Sequence, residues 1–250
     1  MQKINNILIV TGIFPPDIGG PATYGATIEN ELKKRGFGVK VAVYSKTGRG
    51  LPRGLRHILF FLKLLPLVRK SDVVLSLNAV SAGSPALFAA KLFKKKFIVR
   101  IVGDYAWEMA AGKGKTNLLI DDFQKVQKKG WIGTLHKLQV WACKNADKII
   151  VPSQYLADVV AGWGTDRNKI AVIYNGVDFK PSELSKEEVR RKLAIFGHII
   201  LSVGRLVPWK GFRMLIKIMP QVFEINQAFR LVIVGDGPDK KILESMIKNL

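Results

Sequence analysis

Five short runs rich in valine and isoleucine, at residues 7–10, 39–44, 73–77, 97–102 and 148–151, are separated by segments with helical spacing. Runs of that kind suit strands buried on both faces, the condition of a parallel sheet covered by helices. Between the first two, Tyr24, Ile28 and Leu32 recur every fourth residue, and the segment closes on Lys33, Lys34, Arg35 and Gly36. That is an amphipathic helix with cations at its negative end and a glycine stop. The βαβαβ order predicts an α/β, doubly wound, Rossmann-like domain.

The pattern pauses and restarts. Asn175-Gly176 is a turn signal, and a polar stretch begins at Pro181 and Ser182. Ser185 with Glu188 predicts a capping box for a short charged helix. A strand at 198–203, a helix at 212–223 and a strand at 231–234 follow, then a Gly-Asp-Gly-Pro turn and another helix. The expected division is a first domain over 1–178, a linker and short helix over 179–197, and the opening of a second Rossmann-like domain over 198–250. Two strands leave sheet edges unpaired, so the chain is expected to be truncated within that second domain.

Composition narrows the classes of function. A hydrophobic fraction of 48% excludes a mostly disordered chain. One cysteine, Cys143, excludes an internal disulfide framework and a cysteine-rich zinc site. His57, His136 and His198 have no ligand spacing. A reduced cytoplasmic protein without metal is expected. The longest apolar segment, 58–68, is interrupted by Lys63 and Pro66 and is too short to span a bilayer. The net charge of +21 attracts polyanions: nucleic acid, anionic lipid or phosphorylated ligands. The alternative is a solubilising surface, and charge alone does not choose.

Two loops carry candidate chemistry. In VGRLVPWKG (203–211), Arg205 follows the carboxyl end of a strand, where open α/β sheets bind ligands. Lys210 stands just before a helix N-terminus, whose free N–H groups and dipole favour an anion. Together they make a phosphate site, with two solvated loop cations as the alternative. In FPPDIGGPATY (14–24), Gly19 and Gly20 let backbone approach a ligand, and Pro21 suits the first helical position. An ordinary tight turn is the alternative there. The dinucleotide fingerprint GxGxxG is absent, which disfavours a dehydrogenase.

Taken in order, the Gly-Gly loop, SQYL (153–156), NGVD (175–178), VGRLVPWKG and GDGP (235–238) resemble family 4 of the retaining glycosyltransferases, which have the GT-B fold. The resemblance runs from Ile7 to the end of the chain. It implies that Arg205 and Lys210 hold the diphosphate of a nucleotide-sugar donor, and that Gly19 and Gly20 face its phosphates and the acceptor. It implies that Gly235, Gly237 and Pro238 lie near the nucleotide. It further implies transfer with retention and neither metal nor cofactor, the nucleotide sugar being a substrate.

The sequence departs from the family in two places. A histidine usual at the end of the fourth strand is missing from RIVGDYAWE (100–108). Asp104 is the nearest polar substitute, to contact a sugar hydroxyl or take the acceptor proton, and a helix-capping aspartate is the alternative. Glu108, four residues on, shares its face if a helix begins there. The family's paired donor-binding glutamates are expected past residue 250, so this chain alone is expected to be inactive.

The expected acceptor is a glycan or a lipid-linked envelope precursor. Arg53, Arg56, His57, Lys63, Arg69 and Lys70 surround the apolar stretch 58–62, with further cations at 94–96, 113, 115, 125, 128 and 129. A basic, apolar helix of that kind can rest on an anionic leaflet, giving a peripheral protein on the inner face of the cytoplasmic membrane. An ordinary core helix is the alternative for its apolar residues. A nucleic-acid-binding protein is disfavoured because no aromatic residues interleave the basic clusters. A GT-B sugar-nucleotide epimerase and a non-catalytic binding fragment are the other rivals.

Overall fold

A computed structural model describes residues 4–48, 50–176 and 179–249. The chain divides into two compact units. One comprises 1–107 with 118–175, the other 108–117 with 176–250.

The first unit is built on a six-stranded parallel sheet in the order β2-β1-β3-β4-β5-β6. Its strands are β1 (Asn6–Thr11), β2 (Gly38–Val43), β3 (Val73–Ser76), β4 (Lys96–Arg100), β5 (Lys148–Val151) and β6 (Ile170–Val172). In register, Ile9 stands between Val41 of β2 and Leu75 of β3. Leu8, Ile9 and Val10 are buried, as a central strand covered on both faces requires. The first five strands lie within two residues of the expected ends. β6 was not expected: three half-buried residues are too few to show a period.

Helix α1 (Gly20–Lys34) joins β1 to β2. Pro21 stands in its first turn, and an i,i+4 pair links Glu29 to Lys33 at 2.6 Å. Helices α2 (Arg53–Arg69) and α3 (Gly83–Leu92) carry the next two crossovers. Three helices, α4 (Tyr105–Gly112), α5 (Ile120–Lys125) and α6 (Gly130–Asn145), lie between β4 and β5. Helix α7 (Gln154–Gly162) leads to β6. Phe60, Leu64 and Val68 of α2, Leu87 of α3, Ala142 and Cys143 of α6 and Val160 of α7 share one core with the sheet. Because β2 and β3 flank β1 on opposite sides, right-handed crossovers put α1 on the other face. That reversal marks the carboxyl edge of β1 and β3 as the crevice where such sheets bind ligands.

The second unit holds α8 (Lys186–Leu193), β7 (His198–Val203), α9 (Phe212–Ile225), β8 (Phe229–Val234) and α10 (Lys240–Lys248). Ser185 and Glu188 form the expected capping box. β7 and β8 pair in parallel, His198 opposite Phe229. Their small core is Leu206, Phe212, Ile216 and Leu243. Residues 108–117, placed by sequence in the first domain, group with this unit. A Cβ on Gly112 would stand 3.1 Å from the Trp209 ring, so the end of α4 packs closely on that indole. The break between units falls at Asn175–Gly176, and Val177 and Asp178 of the NGVD motif lie outside the described residues.

Candidate active site

In the second unit the carboxyl ends of β7 and β8 are locked together through backbone. Gly204 N–H donates to Val234 O at 3.0 Å, Leu206 N–H to Asp236 O at 2.9 Å, and Asp239 N–H to Leu206 O at 3.1 Å. A Cβ on Gly235 would strike the Gly204 carbonyl, and one on Gly237, where φ is +158°, would strike the Leu206 backbone. The turn glycines are therefore required by the approach of one strand end to the other. Pro238 is exposed in the turn leading to α10. The buried Asp239 accepts from Arg213 Nε at 2.9 Å, tying α10 to α9.

That frame presents two cations. Arg205 is exposed two residues past β7. Lys210 is exposed at the end of a 3-10 turn over Pro208–Lys210, and Gly211, at φ +76°, opens α9 immediately after it. Among the described residues neither side chain has a hydrogen bond or ion pair. The first-turn N–H groups of α9 lack intrahelical acceptors by geometry. A cation past a strand end and another just before a helix start are groups that can receive a phosphate.

In the first unit, the loop after β1 is held by Thr11 Oγ1 donating to Ile13 O at 2.9 Å and Ser45 Oγ donating to Asp17 at 2.9 Å. Gly19 caps α1 with φ +152°, a conformation that favours glycine. Gly20 differs: a Cβ there would meet nothing within 4 Å, so its surroundings leave room for a side chain. Gly12 faces the Asn78 amide, whose Oδ1 accepts from Ala82 N–H at 3.0 Å and shapes the loop after β3.

The sequence reading missed Arg100. At the end of β4 it is only 4% exposed. Its guanidinium lies 3.6 Å from the centre of the Tyr24 ring on α1 and donates to Asn175 Oδ1 at 2.5 Å. Its Nε has no hydrogen-bond partner among the described residues. Burial pulls the guanidinium pKa below its ordinary value, with Tyr24 opposing that shift.

Asp104 is 0% exposed. Its Oδ1 accepts from Trp107 N–H at 3.1 Å, capping the start of α4, and from Gln139 Nε2 at 2.7 Å. Its Oδ2 accepts from Gln124 Nε2 at 2.8 Å. This geometry favours the helix-capping alternative over direct contact with a sugar. His136 adjoins the network through Gln139 at 3.4 Å. Burial lowers its imidazole pKa, opposed by the Asp104 carboxylate and reinforced by Lys128. Glu108 lies in the first turn of α4 and is half-buried.

Among the described residues, no group of three His, Cys, Asp or Glu could hold a metal, and no helix is long and apolar enough to cross a membrane.

Comparison with known proteins agrees with this architecture. The model of Glycosyltransferase Family 4 matches residues 18–180, and that of Glycosyl transferases group 1 matches residues 185–250. An uncharacterized glycosyltransferase of Methanocaldococcus jannaschii is 32% identical over 124 residues, 46% of this chain and 32% of that protein. A phosphatidylinositol N-acetylglucosaminyltransferase subunit of Arabidopsis thaliana is 25% identical over 252 aligned positions, 96% of this chain and 54% of that protein. The crystal structure of Anabaena HepE in complex with UDP and glucose matches with a TM-score of 0.67 at 15% identity, over 99% of this chain and 66% of that one. The chain thus spans about a third to a half of the length of these two curated relatives. The shared fold is GT-B.

Proposed function

Because this chain belongs to glycosyltransferase family 4, we propose that it supplies the acceptor-side domain and the first part of the donor-side domain of an enzyme that transfers a sugar from a nucleotide-diphosphate-sugar to an acceptor, with retention and without metal. The observation that carries this reading is the pair Arg205 and Lys210, at a strand end and a helix start and with no counter-charge among the described residues. When the glycosidic bond to the donor phosphate breaks, charge develops on the leaving diphosphate. Cations and N–H dipoles already in place stabilise it without reorganising.

Gly20, with open space around it, is assigned to the phosphate-facing surface of the acceptor-side domain. Gly19 gives the preceding loop its shape. Gly235, Gly237 and Pro238 border the nucleotide by holding the two strand ends together. Asp104 is assigned the positioning of α4, because its oxygens already accept three hydrogen bonds. The nucleotide and sugar bound by HepE support uridine nucleotide sugars as the first donors to try.

The acceptor is read as lipid-linked and the protein as peripheral on the cytoplasmic face of the membrane. Support comes from α2, whose Leu55, Ile58, Leu59 and Leu62 form an exposed stripe at i, i+3, i+4 and i+7, in addition to the buried Phe60, Leu64 and Val68. Co-sedimentation with anionic vesicles, weakening as salt rises, is the expected result; equal binding to neutral vesicles would overturn the electrostatic part.

The donor reading is tested by titration calorimetry with UDP-, GDP- and ADP-sugars. A charge-assisted hydrogen bond contributes about 1.5–3 kcal/mol, so Arg205→Ala and Lys210→Ala should each weaken donor binding roughly ten- to a hundredfold. Wild-type affinity in both variants would refute the assigned grip. Release of a nucleoside diphosphate with a lengthened acceptor indicates transfer, whereas an isomerised donor indicates an epimerase.

A further inference from the structure

Between α2, α3 and α6 the first unit carries a groove of about 530 Å³, lined by Ile58, Phe61, Val80, Pro85, Phe88 and Leu138. Its polar walls are His57 and Ser84, and both are engaged. His57 Nδ1 meets Tyr44 Oη at 3.2 Å, and Ser84 Oγ donates to Ala79 O at 3.2 Å. The groove therefore matches hydrocarbon rather than a sugar or a base. Ile58 and Phe88 on its rim are 57% and 55% exposed. They continue into the exposed leucines of α2 and into Leu92 of α3, an apolar surface of the kind that marks a binding face.

The surrounding charge selects the occupant. Asp72 is the only acid between Glu31 and Asp104, while Lys63 and Arg69 on α2, Lys70 at its C-cap and Lys91 on α3 share the elements that carry the apolar stripe. A nucleic acid would satisfy the cations and leave the apolar groove exposed to water. A second copy of this face would bring like charges together. An anionic lipid satisfies both. The groove's volume also lies within the roughly 300–1,000 Å³ of small-molecule sites.

We propose that this groove binds the hydrocarbon chain of an anionic lipid. Val80 and Ser84 follow the carboxyl end of β3, so a chain lying there directs its headgroup toward the edge where such sheets bind ligands. The groove is thus the tail subsite of a lipid-linked acceptor, an inference that rests on the acceptor reading above.

The Trp141 ring lies 4.7 Å from that of Phe88 and supplies a reporter. The probe is lysophosphatidylglycerol brominated along its acyl chain, added below its micelle-forming concentration. Saturable quenching of tryptophan emission is expected, and Trp141→Phe should remove most of it. Ile58→Asn and Phe88→Asn, both at exposed positions, should raise the half-saturating concentration at least tenfold with unchanged melting temperatures. Glycerol phosphate, the headgroup without a chain, should not compete. Absent quenching in the wild type, equal binding in both variants, or lipid-free dimers dispersed by Ile58→Asn would overturn the proposal. Binding is read without donor or turnover, so a failure of sugar transfer would bear on the enzymatic reading alone.

Discussion

Arg100 lays its guanidinium against the face of Tyr24, 3.6 Å from the ring centre, and in doing so joins the end of β4 to the helix that the Gly19–Gly20 loop opens. It also reaches Asn175, the last residue before the break between the two units. Cation–π contact and one hydrogen bond return part of what the buried charge loses on leaving water.

Among the described residues Arg100 has no acidic partner, and a well-packed apolar side chain of similar size usually fills such a buried site as well as an unpaired charge does. Arg100→Met is therefore expected to leave stability unchanged to within about 1 kcal/mol, or to raise it. Sugar transfer should nevertheless fall at least tenfold, because α1 and Asn175 lose their common anchor. Chemical denaturation with measurement of sugar transfer by the same variant separates these outcomes. A variant that is both destabilised and fully active would show the residue to be structural only.

Asp104→Asn should be costly despite its small change in shape. Gln124 cannot turn to accept from a new amide, because its Oε1 already takes the Trp163 Nε1 proton at 2.9 Å. Gln139 is similarly fixed, its Oε1 facing Ala106 N–H at 3.4 Å. One donor would face another in a buried site, costing about 1–3 kcal/mol. Urea unfolding of the variant measures this directly. Undiminished stability would mean that the amides can reorient.

Much of the frame was legible in the sequence because periodicity and caps are local. The span of β7 is that expected from its apolar run, and the Ser185–Glu188 box needed only its two residues. Long-range partnerships were not legible. Arg100 meets Asn175 across 75 positions, and nothing local marks that arginine as buried. The glycines of GDGP were recognisable as a turn, but the backbone they accommodate, at Gly204 and Leu206, belongs to another strand end. The apolar stretch of α2 was legible as hydrophobic. Its division into an inward and an outward stripe emerges only when the helix is laid on the sheet.

Cys143 supplies a prediction in pH. Burial pushes its thiol pKa up to about 12, above the ordinary value of 9.0. The folded state favours the protonated form, so this contribution to stability is fully present below pH 9 and is lost as pH rises from 9 toward 12. The unfolding midpoint should fall over that interval, and Cys143→Ala should remove part of the fall. At pH 8 the native thiol should resist iodoacetamide and become reactive only in denaturant. Rapid native labelling would contradict the burial of this side chain.

Gly237 and Gly20 should respond oppositely to the same methyl group. At Gly237 an alanine Cβ would run into the Leu206 backbone at φ +158°, which L residues avoid. Gly237→Ala should cost more than about 2 kcal/mol, combining that strain with displaced packing. At Gly20 no atom lies within 4 Å of the added Cβ, and alanine is the better helix former by up to about 1 kcal/mol in a helix interior, less at the first turn. Gly20→Ala should therefore melt at the same temperature or slightly higher. If Gly20 is open because phosphate oxygens approach it, the same variant should lose donor affinity while gaining or keeping stability. Calorimetric titration beside thermal melting of both variants tests this, and unchanged donor affinity in Gly20→Ala would remove Gly20 from the donor site.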